Sequence, residues 1–159
     1  MKKLKLYIET SAWNFYYADD APEKMEITKL FFQSVKSNEF EIFISSVVLK
    51  EINRADEKKK NMLIDLIKEC NPVELEVSKE IEDLADEYML RKIVPEKKRD
   101  DALHVATASV YEMDAVITWN FSHMANLRKN EIFNGVNLEM GYTKRIELIT
   151  PMGVTKNED

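Results

Sequence analysis

Cysteine occurs once in the 159 residues, at Cys70, so no disulfide can form within the chain. That excludes the small, disulfide-stapled secreted scaffolds and makes a reducing compartment, the cytoplasm, the expected location. Glycine is almost as scarce, with three residues. None of them builds a Gly-rich phosphate loop or a Gly-x-Ser-x-Gly nucleophile elbow, which removes the commonest nucleotide-binding and serine-hydrolase signatures. With two histidines and one cysteine, no set of residues has zinc-finger spacing. No stretch approaches the ~20 apolar residues of a membrane span. No apolar run follows Met1-Lys2-Lys3, so neither a secretory signal nor a membrane partner is expected.

Hydrophobic residues make up 45% of the chain, enough for a sizeable core. The length is close to that of one globular domain, roughly 100–150 residues. We therefore expect residues 1–159 to form a single domain, with a C-terminal tail from about residue 150. Charged residues reach 33%, and the net charge is −6. An acidic balance argues against a protein that coats nucleic acid. It remains compatible with a nuclease, whose metal pocket gathers acids. The basic clusters Lys58-Lys59-Lys60, Lys97-Lys98-Arg99, Arg128-Lys129 and Lys144-Arg145 read singly as solvated helix faces.

Short apolar runs alternate with longer segments of helical spacing. Strands are expected at Leu4–Ile8, Phe40–Ile44, Val73–Val77, Ala115–Ile117 and Arg145–Ile149. Helices are expected from Pro22 to about Lys36, from Ser45-Ser46 to about Ile52, and from about Glu57 to Glu69. Further helices should run from Ser78 to about Arg91, from about Lys98 to Tyr111, and over Phe121–Lys129. This alternation is the mark of an α/β fold with a mostly parallel sheet, and such sheets bind ligands at the carboxyl ends of their strands.

Acidic and polar residues stand at those ends. Glu9 follows the first strand in Tyr7-Ile8-Glu9-Thr10-Ser11, where taken alone it is an ordinary loop glutamate. Glu51 shares a helix face with Val47 and Val48, so its carboxylate must be paired, hydrogen-bonded or metal-bound. Asp100 and Asp101 open a helix of small residues, where acids favour the helix dipole. Asp101 shares a face with Val105 and Ala108, which turns it inward. His104, one turn away, reads as a packing or supporting residue. Trp119-Asn120-Phe121-Ser122-His123 follows the Ala115–Ile117 strand, and Asn120 reads alone as a cap of the next helix. Oxygen ligands gathered from several strand ends suit Mg²⁺ or Mn²⁺.

Four segments in order resemble the PIN-domain family, whose small members include the ribonuclease toxins of bacterial and archaeal toxin–antitoxin pairs. Tyr7-Ile8-Glu9-Thr10-Ser11 is similar to the opening strand and first acid, with Glu9 where Asp is usual. Ser45-Ser46-Val47-Val48-Leu49-Lys50-Glu51-Ile52 resembles the segment of the second acid, on Glu51. Asp100-Asp101-Ala102-Leu103-His104-Val105-Ala106 resembles that of the third, on Asp101, and Thr118-Trp119-Asn120-Phe121 the fourth, on Asn120. The resemblance covers nearly the whole chain. It implies a three-layer α/β/α sandwich and Mg²⁺- or Mn²⁺-dependent cleavage of single-stranded RNA. It further implies Glu9, Glu51 and Asp101 as metal ligands and Asn120 as a fourth catalytic position. Thr10, Ser11, Asp100, His104, Trp119 and His123 would support them. A homodimer and an antitoxin partner are implied for the toxin branch, and the aromatic run Trp13, Phe15, Tyr16 and Tyr17 would suit a dimer face. Two alternatives stay open: a PIN-like interaction module with weakened metal chemistry, and a DNA- or structure-specific nuclease.

Overall fold

In the computed structural model, residues 2–155 are described. The elements follow in the order β1 (Lys5–Ile8), α1 (Thr10–Asn14), α2 (Pro22–Lys36), β2 (Glu41–Ser45), α3 (Ser46–Ile52) and α4 (Glu57–Cys70). Next come β3 (Val73–Leu75), α5 (Lys79–Leu90), α6 (Arg99–Val110), β4 (Ala115–Ile117), α7 (Leu127–Glu139) and β5 (Glu147–Ile149). Short 3₁₀ turns stand at Phe15–Tyr17, Glu96–Lys98 and Pro151–Gly153. The expected C-terminal tail thus holds a turn, and its residues 156–159 lie outside the described residues.

Local chemistry explains most boundaries. Pro22 opens α2, where its fixed φ suits a first helical turn. The Ser45, Asp56 and Ser78 side chains accept from the backbone N–H groups of Val47, Lys59 and Ile81 and so cap α3, α4 and α5. Asn71 ends α4 in the left-handed region, at φ 51°.

All four strand pairings are parallel, and the sheet order is β3-β2-β1-β4-β5. The chain steps outward from β1 to β3, then returns to the other side of β1 with β4. Right-handed crossovers therefore place α2–α4 on one face and α5–α7 on the other, giving the three-layer sandwich. The central strand β1 is covered on both faces, so Leu6, Tyr7 and Ile8 are all fully buried. Trp13 packs on Phe32 of α2 at 4.9 Å, and Tyr88 of α5 on Phe133 of α7 at the same distance.

The structure corrects the expectations in three places. Residues 10–14 form α1, which the sequence reading left as loop. The expected helix over Phe121–Lys129 is displaced: residues 121–126 are turns and bends, and α7 begins at Leu127. Asn126 causes the break, because its side chain accepts from Lys129 N–H at 2.9 Å and caps the helix there. Trp13 of the aromatic run is buried in this chain's own core, and Tyr16 packs edge-on against Phe32.

Helix α7 also shields the outer edge of β5. Asn130 donates to Leu148 C=O at 2.9 Å and accepts from Leu148 N–H at 2.8 Å. One turn on, Asn134 donates to Ile146 C=O at 2.8 Å and accepts from Ile146 N–H at 2.9 Å. Asparagine amides thus stand in for a sixth strand. Asn137 continues the row into the interior, donating to Ser109 Oγ at 2.8 Å and accepting from Tyr88 OH.

Candidate metal centre

The sheet order reverses between β1 and β4, and the crevice at such a switch point is where an open α/β sheet binds ligands. Glu9 lies there. Its backbone N–H continues the ladder to Ile117 C=O, and its carboxylate caps α1 by accepting from Ser11 N–H at 3.1 Å. Ser11 Oγ donates to Glu9 Oε1 at 2.5 Å, and Thr118 Oγ1, from the end of β4, donates to the same oxygen at 2.6 Å. Three neutral donors from two strand ends therefore fix this carboxylate.

Glu51 arrives from α3. Val47, Val48 and Ile52 are buried against the core, and the acid sits at the rim of that face. Thr10 Oγ1 donates to Glu51 Oε1 at 2.7 Å, and His104 Nε2 lies 2.5 Å from the same atom. Burial works to raise the Glu51 carboxyl, but the His104 hydrogen bond and charge, with the Thr10 hydroxyl, outweigh it and hold the group below its ordinary range.

His104 is fully buried on α6. Its Nδ1 is 2.6 Å from Tyr7 OH, which in turn is 2.8 Å from Ser45 Oγ. Burial disfavours the charged ring, yet the Glu51 hydrogen bond and the Glu9 charge prevail and raise His104 above the usual imidazole range. Burial pushes the Tyr7 phenol up, so it remains a neutral hydrogen-bonding link. One oxygen or nitrogen each from Glu9, Glu51 and His104 lies within 4.8 Å of the others, close enough to share one cation.

Asp101 and Asn120 stand beside this group as a second cluster. Asn120 Nδ2 donates to Asp101 Oδ2 at 3.2 Å, and His123 Nδ1 lies 2.8 Å from that oxygen. Asn120 Oδ1 accepts from His123 N–H at 2.9 Å, so it caps the turn after β4 and not a helix. Trp119 donates its backbone N–H to Ser11 Oγ at 2.9 Å. Asp100 points to Arg54, 3.1 Å away, outside both clusters. Apart from Asp100, the site residues read from the sequence are thus brought together, in two neighbouring groups. His104, expected to support, supplies a nitrogen to the Glu9–Glu51 group, while Asp101 pairs with Asn120 and His123. Tyr7 and Thr118 were not singled out. The signal for Thr118 was its place directly before Trp119-Asn120, and for Tyr7 a phenol that must find a partner inside an apolar strand. A cleft of about 780 Å³, lined in part by Ile93, Val94, Pro95 and Lys129, opens at His123 and borders the acids without including Glu9 or Glu51.

No protein-family model matches the sequence, and no curated protein matches it. Solved structures do match the fold. The toxin VapC20 of Mycobacterium tuberculosis, described as cleaving the sarcin-ricin loop, superposes with a TM-score of 0.59 at 17% identity, over 74% of this chain and 92% of its own. VapBC-5 of the same organism, a toxin–antitoxin system, gives a TM-score of 0.50 at 12% identity, over 92% of this chain and 98% of its own. VapBC2 of Rickettsia felis, bound to a DNA fragment from its promoter, gives 0.52 at 12% identity, over 91% and 98%. The fold is the PIN-like α/β/α sandwich that these toxin structures share. No helix among the described residues is long and apolar enough to cross a membrane.

Proposed function

We propose that this chain is a divalent-metal-dependent endoribonuclease that cleaves single-stranded RNA. One observation carries the reading. Glu9 and Glu51 meet His104 at the switch point of the sheet, with Asp101 in the neighbouring cluster, and among the described residues none of these three carboxylates has a lysine or arginine within salt-bridge distance. Among the described residues their close chargeable partners are His104 and His123, with the Arg54 charge acting on Glu51 from further off. Carboxylates gathered in a partly buried crevice without a fixed cation make a cation site.

The donor set fits such an ion. Glu9 and Glu51 offer hard oxygens, and His104 adds an imidazole nitrogen, a mixture that suits Mn²⁺ better than Mg²⁺. When bound, the ion would supply an activated water and neutralise charge developing on the phosphodiester. The protein residues do the positioning. Ser11 and Thr118 hold Glu9, Thr10 holds Glu51, and Tyr7 with Ser45 sets the His104 ring. The proton on His104 Nε2 would have to leave, with Nδ1–H then donating to Tyr7. Asn120 and His123 keep the Asp101 carboxylate at the mouth of the crevice, where it can orient a phosphate-bound water.

The wider reading is one domain over the chain, a cytoplasmic location and an antitoxin partner, supported by the toxin–antitoxin structures that share the fold. A homodimer rests on the family resemblance, since much of the aromatic run is packed internally. The test is direct. Purified protein is incubated with single-stranded RNA in EDTA, Mg²⁺ or Mn²⁺, with single-stranded DNA in parallel. Cleavage of RNA with Mn²⁺ and none in EDTA is expected. Absence of cleavage and of any metal-dependent melting shift would overturn the reading in favour of an interaction module.

A further inference from the structure

An aromatic and basic surface borders the acidic crevice. Phe15, at the end of α1, and Phe121, just after Asn120, flank the buried Trp119, with ring centroids 5.7 and 6.0 Å from the indole. Trp119 is held by its Nε1–H to Thr28 Oγ1 at 2.9 Å, so the group is anchored to α2. Lys24, also on α2, places its Nζ 5.3 Å from Phe15, 5.6 Å from Trp119 and 5.2 Å from Phe121. One turn and a half further along, Lys29 stands 5.8 Å from Tyr16. Neither lysine has a carboxylate within salt-bridge distance among the described residues. Glu26, two residues from Lys24, projects from the opposite side of the helix, about 200° round at 3.6 residues per turn.

Phe121 is the exposed member, at 48% of its surface. What sets Phe121 apart from the other exposed apolar residues is its place beside Asn120, in one group with two further rings and under a cation. It is the composition of a single-strand binding platform, where unpaired bases stack on rings and a cation meets the backbone. We propose that Phe121, with Phe15 beside it, stacks an unpaired base of a single-stranded nucleic acid, while Lys24 meets the adjoining phosphate. This deepens the nuclease reading and rests on it for the direction of the strand into the crevice. A duplex cannot present a base face to the ring, so the platform selects unpaired substrate.

The test is binding, not cleavage. Affinity is measured by fluorescence anisotropy on the full chain in a Glu51→Gln background with Mg²⁺, using a labelled single-stranded RNA and its duplex. Phe121→Ala is expected to weaken single-strand binding about fivefold or more, the low end for one base–ring stack, and to leave duplex binding unchanged. Phe121→Trp should restore it. Lys24→Gln should reduce the dependence of log affinity on log salt by about 0.7, the value for one phosphate contact on a single strand. Unchanged single-strand affinity in Phe121→Ala, or equal loss for both RNAs, overturns the platform. If the wild-type protein nevertheless cleaves RNA with Mn²⁺, the nuclease reading survives that failure. Loss of affinity as expected, with no cleavage by any metal, leaves the platform and removes the nuclease.

Discussion

Two buried polar clusters sit in this molecule, and they are built on opposite principles. The row of Asn130, Asn134 and Asn137 on α7 is neutral. Each amide has donors and acceptors in the number its neighbours require, and no buried side-chain nitrogen or oxygen among the described residues lacks a partner. The cluster of Glu9, Glu51, Asp101 and His104 is also hydrogen-bonded, but its three carboxylates outnumber the imidazole that faces them and leave an excess of negative charge. The first arrangement is complete within the chain. On the proposed reading, a cation would complete the second. Hydrogen-bond satisfaction alone does not distinguish a structural cluster from a functional one; charge balance does.

The sharpest way to break this comparison is to remove charge from one cluster and amide from the other. Glu51→Gln should lower RNA cleavage by more than the 10- to 100-fold typical of losing an outer partner of a metal ligand. Its apo melting temperature should fall modestly, because a carboxylate that His104 and Thr10 hold below its ordinary range contributes stability when ionised. Undiminished cleavage in a carefully purified variant would take Glu51 out of the site. The reverse pattern is expected for Asn134→Ala, which strands the N–H and C=O of Ile146. Denaturant titration should show a loss of about 2–6 kcal/mol, from two unmet backbone groups at about 1–3 kcal/mol each. Cleavage per folded molecule should be unchanged. A stability equal to wild type would mean that water replaces the amide and the row is dispensable.

Metal sharpens the contrast further. An ion at 100 times its dissociation constant should add about 2.7 kcal/mol to stability. Calorimetry with Mn²⁺ should show that gain in wild type and in Asn134→Ala, and its loss in Glu51→Gln. The smallest effect concerns the amino end of the sheet. There Asp114 accepts from Lys5 N–H at 2.8 Å and pairs with Lys144 at 2.9 Å. Burial tends to raise its carboxyl, but these donors outweigh that and depress it. A depressed carboxylate contributes stability above its unfolded value, about pH 3.9, and loses it as pH falls through the folded value. The side chain is partly exposed and screened, so Asp114→Asn should cost under about 1 kcal/mol at pH 7, shrinking to nothing in strong acid. A difference that grows on acidification would contradict the assignment.

Much of the fold was readable because its signals are local. Pro22, Ser45, Ser78 and Asn71 mark helix ends by their own chemistry, and the apolar runs of β1 and β4 mark buried parallel strands. Helix α7 was not readable in full, because Asn130, Asn134, Gly135 and Asn137 are weak helix formers and their purpose lies across space, on β5. The same limit applied to the site. Glu9 could be placed at a strand end, and Glu51 and Asp101 on inward helix faces, from their neighbours in sequence. That Glu51 would meet His104, and Asp101 would meet His123, depends on contacts 53 and 22 residues apart.

The asparagine row has one more consequence, for registration. Four residues of helix advance about 6 Å, and two residues of strand advance about 6.6 Å. Asn130 and Asn134 therefore read Leu148 and Ile146 like marks on two rulers laid side by side, running in opposite directions. The mismatch is small over one step and grows with each further step, which limits such a row to a few marks. Sliding β5 by a single residue would turn the wrong backbone groups toward both amides at once. The position of the last strand is thus gauged from two sides, by β4 through its backbone and by α7 through its side chains. A one-residue insertion between Met140 and Lys144 can be absorbed in the loop, whereas one between Ile146 and Leu148 cannot.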